Sequence, residues 1–367
     1  MKVGCVKEIK QHEYRVGLTP DSVTVFVSHG HDVYIEKNAG LGSGFEDQEY
    51  IDHGAIILDK AEEVWELCDM IVKVKEPLDP EYKHIKEGQI LFTYLHLAAD
   101  EPLLDALLAS KCEAVAYETI TDRNGRLPLL KPMSEIAGRL SIQEGAHALE
   151  KPFGGRGVLL SGIPGVPRGN IVIVGAGVVG LNALQVAVGM EANVTVLDVN
   201  LDRLTEIDTL YGNRVQTLYS TENSLKKALV EADLVIGSVL IPGSKAPKII
   251  KKEYLKTMKP GSVIVDIAID QGGCTETSRP TYHDNPTYVV DGVIHYCVAN
   301  IPGAVARTST IGLVNATLPY GLALADHGVL KASETVVGIK EGVNCYHGKI
   351  TSKPVADTFN RPLSDLV

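Results

Sequence analysis

"IVIVGAGVVG", residues 171–180, decides the fold of this chain. A β-type run comes first, and glycines at 175, 177 and 180 then follow at G-x-G-x-x-G spacing before the apolar stretch "LNALQVAVGM". A strand that turns through such glycines into a helix is a dinucleotide-binding fingerprint. Gly175 allows the tight turn, Gly177 lets backbone approach a pyrophosphate, and Gly180 packs helix on strand. The helix N-terminus adds free N–H donors and partial positive charge for phosphate. No residue from Gly169 to Met190 is charged, a stretch long enough to imitate a membrane span. The three glycines and the β-type run make strand–turn–helix the better reading.

The next strand, "NVTVLD", ends in Asp198, where an acid is needed to accept from a ribose hydroxyl. A 2′-phosphate about 4 Å from it would meet a repulsion of roughly 4 kcal/mol at an effective dielectric near 20. The expected cofactor is therefore NAD rather than NADP, although Arg203 could partly neutralise such a phosphate.

Outward from this turn the chain alternates strands and helices. In the first part, strands are expected at 2–6, 32–36, 69–75, 89–96 and 112–118, with helices from Pro20 to about Ser28 and over 61–68 and 101–110. Thr19-Pro20 reads as an N-cap followed by proline at the first helical position. A turn-rich boundary at 123–132 leads into a helical pattern over 133–150. A second set of strands follows at 171–174, 194–197, 214–219, 233–240 and 262–269, then a long helix from about Ala304 to Ala325. The expectation is an α/β protein of two doubly wound, mostly parallel sheets joined by two long bridging helices. Residues 1–128 and 306–367 would form a discontinuous substrate domain, and 129–305 a Rossmann domain for NAD.

Bulk properties agree with a globular α/β chain. The 367 residues suit two domains of roughly 150–200 residues. A net charge of −11 argues against a nucleic-acid partner. The six cysteines are scattered, with no metal-ligand spacing, which points to a reduced, cytoplasmic setting and no structural metal. "MKVGCVKEIK" lacks the apolar core of a signal peptide, so no membrane association is expected.

Four residues suggest chemistry. Lys75 ends "MIVKVK", His96 ends "ILFTYLH", Asp270 ends "VIVDIAID", and Arg15 lies in the loop after the first strand. Ligands of open α/β sheets bind outside the carboxyl ends of strands, so all four are expected to converge on a cleft between the two domains. Arg can fork a carboxylate, Lys can hold a second oxygen, and His can exchange a proton near neutrality. Taken singly, each has a plainer role: Arg15 and Lys75 as solvated charges, His96 as a hydrogen-bonded strand end, Asp270 as a turn cap.

"KEIKQHEYRVGLTP", "IVKVKEP", "LFTYLHLAA", "PMSEIAGRL", "VDIAIDQGGC", "SRPT" and "YCVANIPGAV" together resemble the alanine dehydrogenase and transhydrogenase α-subunit family, bacterial L-alanine dehydrogenases in particular. The resemblance implies that Arg15 and Lys75 bind the oxygens of pyruvate or alanine, with His96 and Asp270 as the acid/base pair. It implies NAD contacts at Ser134, Val178, Val179, Asp198, Arg203, Ser220, Val239, Leu240, Ile267, Arg279, Val298, Ala299, Asn300 and Ile301, beside Gly175, Gly177 and Gly180. It further implies a homohexamer and a reversible reaction, alanine with NAD and water giving pyruvate, ammonia and NADH. Three alternatives stay open: the NAD-binding module of a proton-translocating transhydrogenase, an opine- or saccharopine-type amino-acid dehydrogenase, and a non-catalytic NAD sensor.

Overall fold

Short runs of β-branched residues, most of them followed by a helix, assemble into two sheets. The computed structural model describes residues 1–239 and 246–366. The chain divides into unit 1, Met1–Met133 with Gly303–Val367, and unit 2, Ser134–Pro302.

Unit 1 carries eight strands in the order Lys349–Ile350, Val343–Tyr346, Glu113–Ala116, Ile90–Thr93, Met70–Val72, Lys2–Cys5, Asp32–Glu36, Ile56–Leu58. All neighbours run parallel except at the tail strands, which are antiparallel. The central strands are buried on both faces, as a parallel sheet covered by helices requires. The first helix, Pro20–Ser28, opens as its sequence suggests: Thr19 and Ser22 exchange hydrogen bonds in a capping box, with proline at the first position.

Unit 2 carries seven strands in the order Thr287–Val290, Val293–Tyr296, Val263–Asp266, Leu234–Gly237, Asn170–Val174, Asn193–Asp198, Val215–Tyr219. Among the described residues of this sheet only Thr287–Val290 runs antiparallel. In each sheet one strand has its sequence successor on one side and a later strand on the other. Lys2–Cys5 lies between Met70–Val72 and Asp32–Glu36, and Asn170–Val174 between Leu234–Gly237 and Asn193–Asp198. These are the topological switch points, where the loops at the carboxyl edge part and leave a crevice.

Several strands stop earlier than the sequence pattern suggests. "DMIVKVK" contributes only Met70–Val72, because the amides of Val74 and Lys75 are taken by the Glu8 carboxylate. "QILFTYLH" contributes Ile90–Thr93, and 262–269 contributes Val263–Asp266 before a 3-10 turn, Ile267–Gln271. The long helix runs over Ala306–Thr335, past its expected end, with a break at Gly328 (φ 73°, ψ 168°). Two hairpins absent from the sequence reading turn on residue pairs that both have positive φ, Asp291-Gly292 and His347-Gly348.

Candidate functional site

Unit 1 gathers three of the expected residues at the carboxyl edge of its sheet. Arg15 follows Lys2–Cys5, Lys75 follows Met70–Val72, and His96 follows Ile90–Thr93, on three strands that are direct neighbours. Beyond the strands the last two segments stay together: Thr93 Oγ1 donates to the Lys75 carbonyl at 2.9 Å and Tyr94 N to the Val74 carbonyl at 3.3 Å.

A carboxylate stands beside each of these segments, on the Arg15 and His96 side chains and on the backbone of Lys75. Arg15 is buried, and its Nε and Nη2 each donate at 2.6 Å to a different oxygen of Glu13. The bidentate fork expected for a substrate therefore closes on Glu13. A guanidinium this deep needs a counter-charge, and Glu13 supplies it. Nη1 points toward Met133 Sδ, 3.0 Å away. Burial opposes the Glu13 charge, but its bonds to Arg15 prevail and hold the carboxyl below its ordinary range.

Beneath Lys75 lies a second charged cluster. Lys73 is fully buried between Glu8, at 3.2 Å, and Glu81, at 2.9 Å. The other oxygen of Glu8 accepts from the amides of Val74 (2.7 Å) and Lys75 (3.3 Å), which fixes the backbone that carries Lys75. The Lys75 ammonium is half-buried, and among the described residues no hydrogen bond or ion pair engages it. Burial and the nearby charge of Arg15 pull its pKa below the ordinary 10.5.

His96 caps a 3-10 turn in the left-handed region (φ 51°, ψ 33°), its amide held at 2.6 Å by Glu118. A non-glycine residue rarely adopts this conformation without a reason. Here it sets the ring, about half exposed, with Nδ1 3.5 Å from Glu76 Oε2. A carboxylate facing Nδ1 favours the proton there and leaves Nε2 for another partner. Lys10 pairs with the opposite oxygen of Glu76. Burial would raise this carboxyl, yet His96 and Lys10 hold it down at about 2. On the Arg15 side, a cavity of ≈ 310 Å³ is lined by Glu8, Lys10, His12, Glu13 and Arg15, among others.

In unit 2 the expected nucleotide residues follow the carboxyl ends of adjacent parallel strands. Gly175–Gly180 follow Asn170–Val174, Asp198 ends Asn193–Asp198, Ser220 follows Val215–Tyr219, Val239 follows Leu234–Gly237, and Ile267 and Asp270 follow Val263–Asp266. Val298, Ala299, Asn300 and Ile301 follow Val293–Tyr296, and Arg203 lies in the first turn of the helix after Asp198. Leu240 lies outside the described residues. Ser134 comes from the Lys131–Ala148 helix instead, which approaches the turn closely: a Cβ on Gly138 would sit 2.2 Å from the Val179 carbonyl.

The glycines divide their work as their spacing suggests. Gly175 has φ 99°, a Cβ on Gly180 would lie 1.9 Å from the Gly175 carbonyl, and one on Gly177 would meet nothing within 4 Å. Packing thus demands two of them, while the open space at Gly177 and the exposed Val178 at the helix N-terminus leave a face for a ligand. Ser238 Oγ braces the turn by donating to the carbonyls of Val174 (3.0 Å) and Gly175 (2.8 Å). Asp198 accepts from Ala176 N at 2.5 Å and Asn200 N at 2.8 Å. A carboxylate has about four acceptor sites, so capacity remains for ribose hydroxyls. Arg203 is paired with Glu206, which blunts its use as a phosphate partner.

Asp270 is exposed on the 3-10 turn rather than at a strand end, and Gly272 (φ 91°) and Gly273 (φ 77°) follow. At Gly273 the missing side chain makes room for protein, since a Cβ would lie 2.8 Å from Asp266 Oδ2. Glu13, Glu8, Lys73, Glu76, Ser238 and Asp266 all escaped the sequence reading. Glu76 and Glu13 stand one and two residues from Lys75 and Arg15, the signal by which they were findable.

Two helix-covered parallel sheets, one with Arg15, Lys75 and His96 beyond its carboxyl edge and one with a glycine turn at its switch point, define a two-unit α/β protein of the dinucleotide-binding class. The alanine dehydrogenase/PNT N-terminal domain model matches residues 4–137, and the C-terminal domain model of the same family matches 141–353. The chain belongs to the alanine dehydrogenase/PNT family. It is 56% identical to an alanine dehydrogenase of Methanococcus maripaludis over 99% of this chain and 97% of the relative. Identity to an alanine dehydrogenase of Mycolicibacterium smegmatis is 50%, over 100% and 98%. A solved L-alanine dehydrogenase superposes with a TM-score of 0.96 at 50% identity, covering 98% of this chain and 99% of that one. The transhydrogenase from Sinorhizobium meliloti shares the fold, with a TM-score of 0.83 at 24% identity, covering 96% and 99%. Among the described residues no helix is long and apolar enough to cross a membrane, and no group of three His, Cys, Asp or Glu side chains is placed to hold a metal ion.

Proposed function

We propose that this chain is an alanine dehydrogenase that interconverts L-alanine and pyruvate with ammonia, using NAD. Unit 1 takes the substrate and unit 2 the dinucleotide. The gathering of Arg15, Lys75 and His96 at one sheet edge carries this reading, in a chain that matches alanine dehydrogenases along nearly its whole length.

The residues fit NAD: an open glycine at 177, a braced helix N-terminus, an acid at 198 with acceptor capacity left, and an Arg203 already paired. When bound, the nicotinamide supplies the acceptor for hydride. The nucleotide contacts are the ones that the resemblance assigns, from Ser134 to Ile301.

The protein's own side chains then handle oxygen and protons. Lys75, whose ammonium makes no hydrogen bond or ion pair among the described residues, holds a substrate oxygen. Arg15 holds a substrate oxygen, as the resemblance implies, while Glu13 accepts from its Nε and Nη2 and fixes the guanidinium. His96 donates a proton to the carbonyl oxygen during amination and takes one back during deamination, through the ring nitrogen that Glu76 leaves unclaimed. Asp270 takes the proton of the attacking water or ammonia. A homohexamer in the cytoplasm completes the proposal: the resemblance supports the assembly, and six free, buried cysteines support a reducing compartment.

The purified chain should oxidise NADH only when pyruvate and ammonium are both present, and should reduce NAD with L-alanine. NADH binding with no turnover of either kind would leave a nucleotide-binding protein and defeat the proposal.

A further inference from the structure

Asp266 ends the Val263–Asp266 strand fully buried, and among the described residues the hydrogen bonds its carboxylate accepts come from a single loop. Oδ1 accepts from Cys274 N at 3.2 Å and faces Cys274 Sγ at 3.5 Å. Oδ2 accepts from Thr275 N at 3.0 Å and from Ser278 Oγ at 2.5 Å. The chain leaves the strand at 266, passes through the 3-10 turn that carries Asp270, and is tied back to the same carboxylate at 274, 275 and 278. The fit is tight. A Cβ on Gly273 would lie 2.8 Å from Oδ2, and one on Gly237, Asp266's neighbour in the adjacent strand, would lie 2.4 Å from Cys274 Sγ.

The ties continue to Arg279. Its amide donates to Tyr288 Oη at 2.9 Å, and its guanidinium lies 4.1 Å from the centre of the Tyr288 ring. Tyr288 Oη in turn donates to the Thr277 carbonyl at 2.8 Å. Thr277 and Arg279 flank Ser278, the residue bonded most closely to Asp266. One buried carboxylate therefore ties down the middle and the far end of the span from Asp270 to Arg279, at 274, 275 and 278.

We propose that Asp266 is the positioning residue for this loop: it holds Asp270 in place for proton transfer and Arg279 in place for the dinucleotide, without touching either ligand. The proposal rests on the assignment of Asp270 as the proton-transfer group. A carboxylate suits the task because four donors converge on it, and charge-assisted bonds are stronger than neutral ones. Displacement of a reacting group by an ångström from a remote change costs up to about a hundred-fold in rate.

The test uses the full-length protein with two substitutions. Asp266→Asn turns one acceptor into a donor facing Thr275 N and Ser278 Oγ, or Cys274 N. Ser278→Ala removes one tie and leaves the buried charge. For Asp266→Asn, kcat should fall by about ten- to a hundred-fold, with the KM for pyruvate within about threefold because unit 1 is untouched. Ser278→Ala should fall less, and Ser278→Thr, which restores the hydroxyl, should recover most of the loss. Amide exchange should quicken at 270–279 while Ile171–Val174 stays protected. Should Asp266→Asn fail to fold, the Ser278 pair decides. Faster loop exchange with kcat unchanged would make Asp266 merely structural and overturn the proposal, as would Ser278→Ala with wild-type kcat. An inactive wild type would fail the dehydrogenase reading itself, whereas an active wild type with an equally active Asp266→Asn fails only the positioning role.

Discussion

The two sheet edges solve the same problem with opposite materials. At the edge of unit 1 the working groups are side-chain charges, and each is held by an acid: Arg15 by Glu13, the Lys75 backbone by Glu8, His96 by Glu76. At the edge of unit 2 the ligand face is mostly backbone, shaped by glycines and braced by Ser238 and Asp198. Substrate oxygens and protons need charges that are placed and tuned. A dinucleotide needs a long, close surface with amide donors. The edge of unit 1 should therefore respond to loss of charge, and that of unit 2 to added bulk or altered backbone, with Asp270 the exception on the nucleotide side.

The largest effect is expected at that exception. Asp270→Asn preserves shape and turn geometry, so a structural role predicts near-normal activity. As the proton-transfer group, its loss should cut alanine oxidation by roughly a hundred- to ten-thousand-fold, with NADH affinity and melting temperature little changed. Activity within about threefold of wild type would return Asp270 to the turn-cap class.

Next comes His96→Ala, expected to lower turnover by about a hundred-fold or more while NADH titrates normally. Glu76 should act through it. Because the Glu76 carboxyl is held at about 2, its ion pairs stabilise the fold fully above pH 4.5 and are lost as pH falls toward 2. Acid unfolding of the wild type should show this component, and Glu76→Gln should lack it while also losing turnover. Turnover unchanged in Glu76→Gln would detach the acid from the histidine.

Arg15 and Lys75 should differ in a way that only the structure reveals. Lys75→Met removes an ammonium that no hydrogen bond or ion pair holds among the described residues, so it should raise the KM for pyruvate by about ten- to a hundred-fold at less cost in stability than loss of Arg15. Arg15→Met should raise KM too, but also lower the melting temperature, because it strands the buried Glu13 charge. The double variant with Glu13→Gln should regain stability and not KM. Removing Arg15 also removes a like charge from Lys75. Its pKa should rise, and the alkaline loss of pyruvate binding should move to higher pH. A stable Arg15→Met with normal pyruvate kinetics would dismiss both halves.

How far the sequence carried these points follows from the range of each signal. The glycine turn, its strand, Asp198 and the places of Arg15, Lys75 and His96 beyond the carboxyl ends of strands were legible because they depend on local pattern alone. The Asp291-Gly292 hairpin was legible too and went unread, although aspartate–glycine between apolar runs is a strong turn signal. Glu8, Glu76 and Asp266 could not be weighed that way. An acid after a strand reads as solvated until the fold shows which amides and cations it faces, and Glu8 meets Lys73 only because their strands lie side by side. Two of the shortened strands have the same origin: the carboxylates of Glu8 and Glu118 took the amides at 74–75 and 95–96 that a ladder would have used.

The smallest effect, and the sharpest test of the backbone edge, is expected at Asp198. Its two oxygens already serve Ala176 and Asn200, so it braces the glycine turn, and the proposed ribose contact falls to its remaining acceptor capacity. Asp198→Asn keeps one acceptor for the turn and removes the negative charge. The side chain is only half-buried, so water screens the repulsion of a 2′-phosphate to about 1–2 kcal/mol, well under the value for an enclosed pair. Preference for NADH over NADPH should therefore fall by about tenfold, mostly through better use of NADPH. Asp198→Ala should lose the brace as well, weakening both cofactors while narrowing the ratio to the same degree. The measurement is kcat/KM for each reduced cofactor in pyruvate amination. If the wild type already uses NADPH as readily as NADH, or if Asp198→Asn leaves the ratio unmoved, Asp198 serves the turn alone, and the edge of unit 2 selects its cofactor by other means.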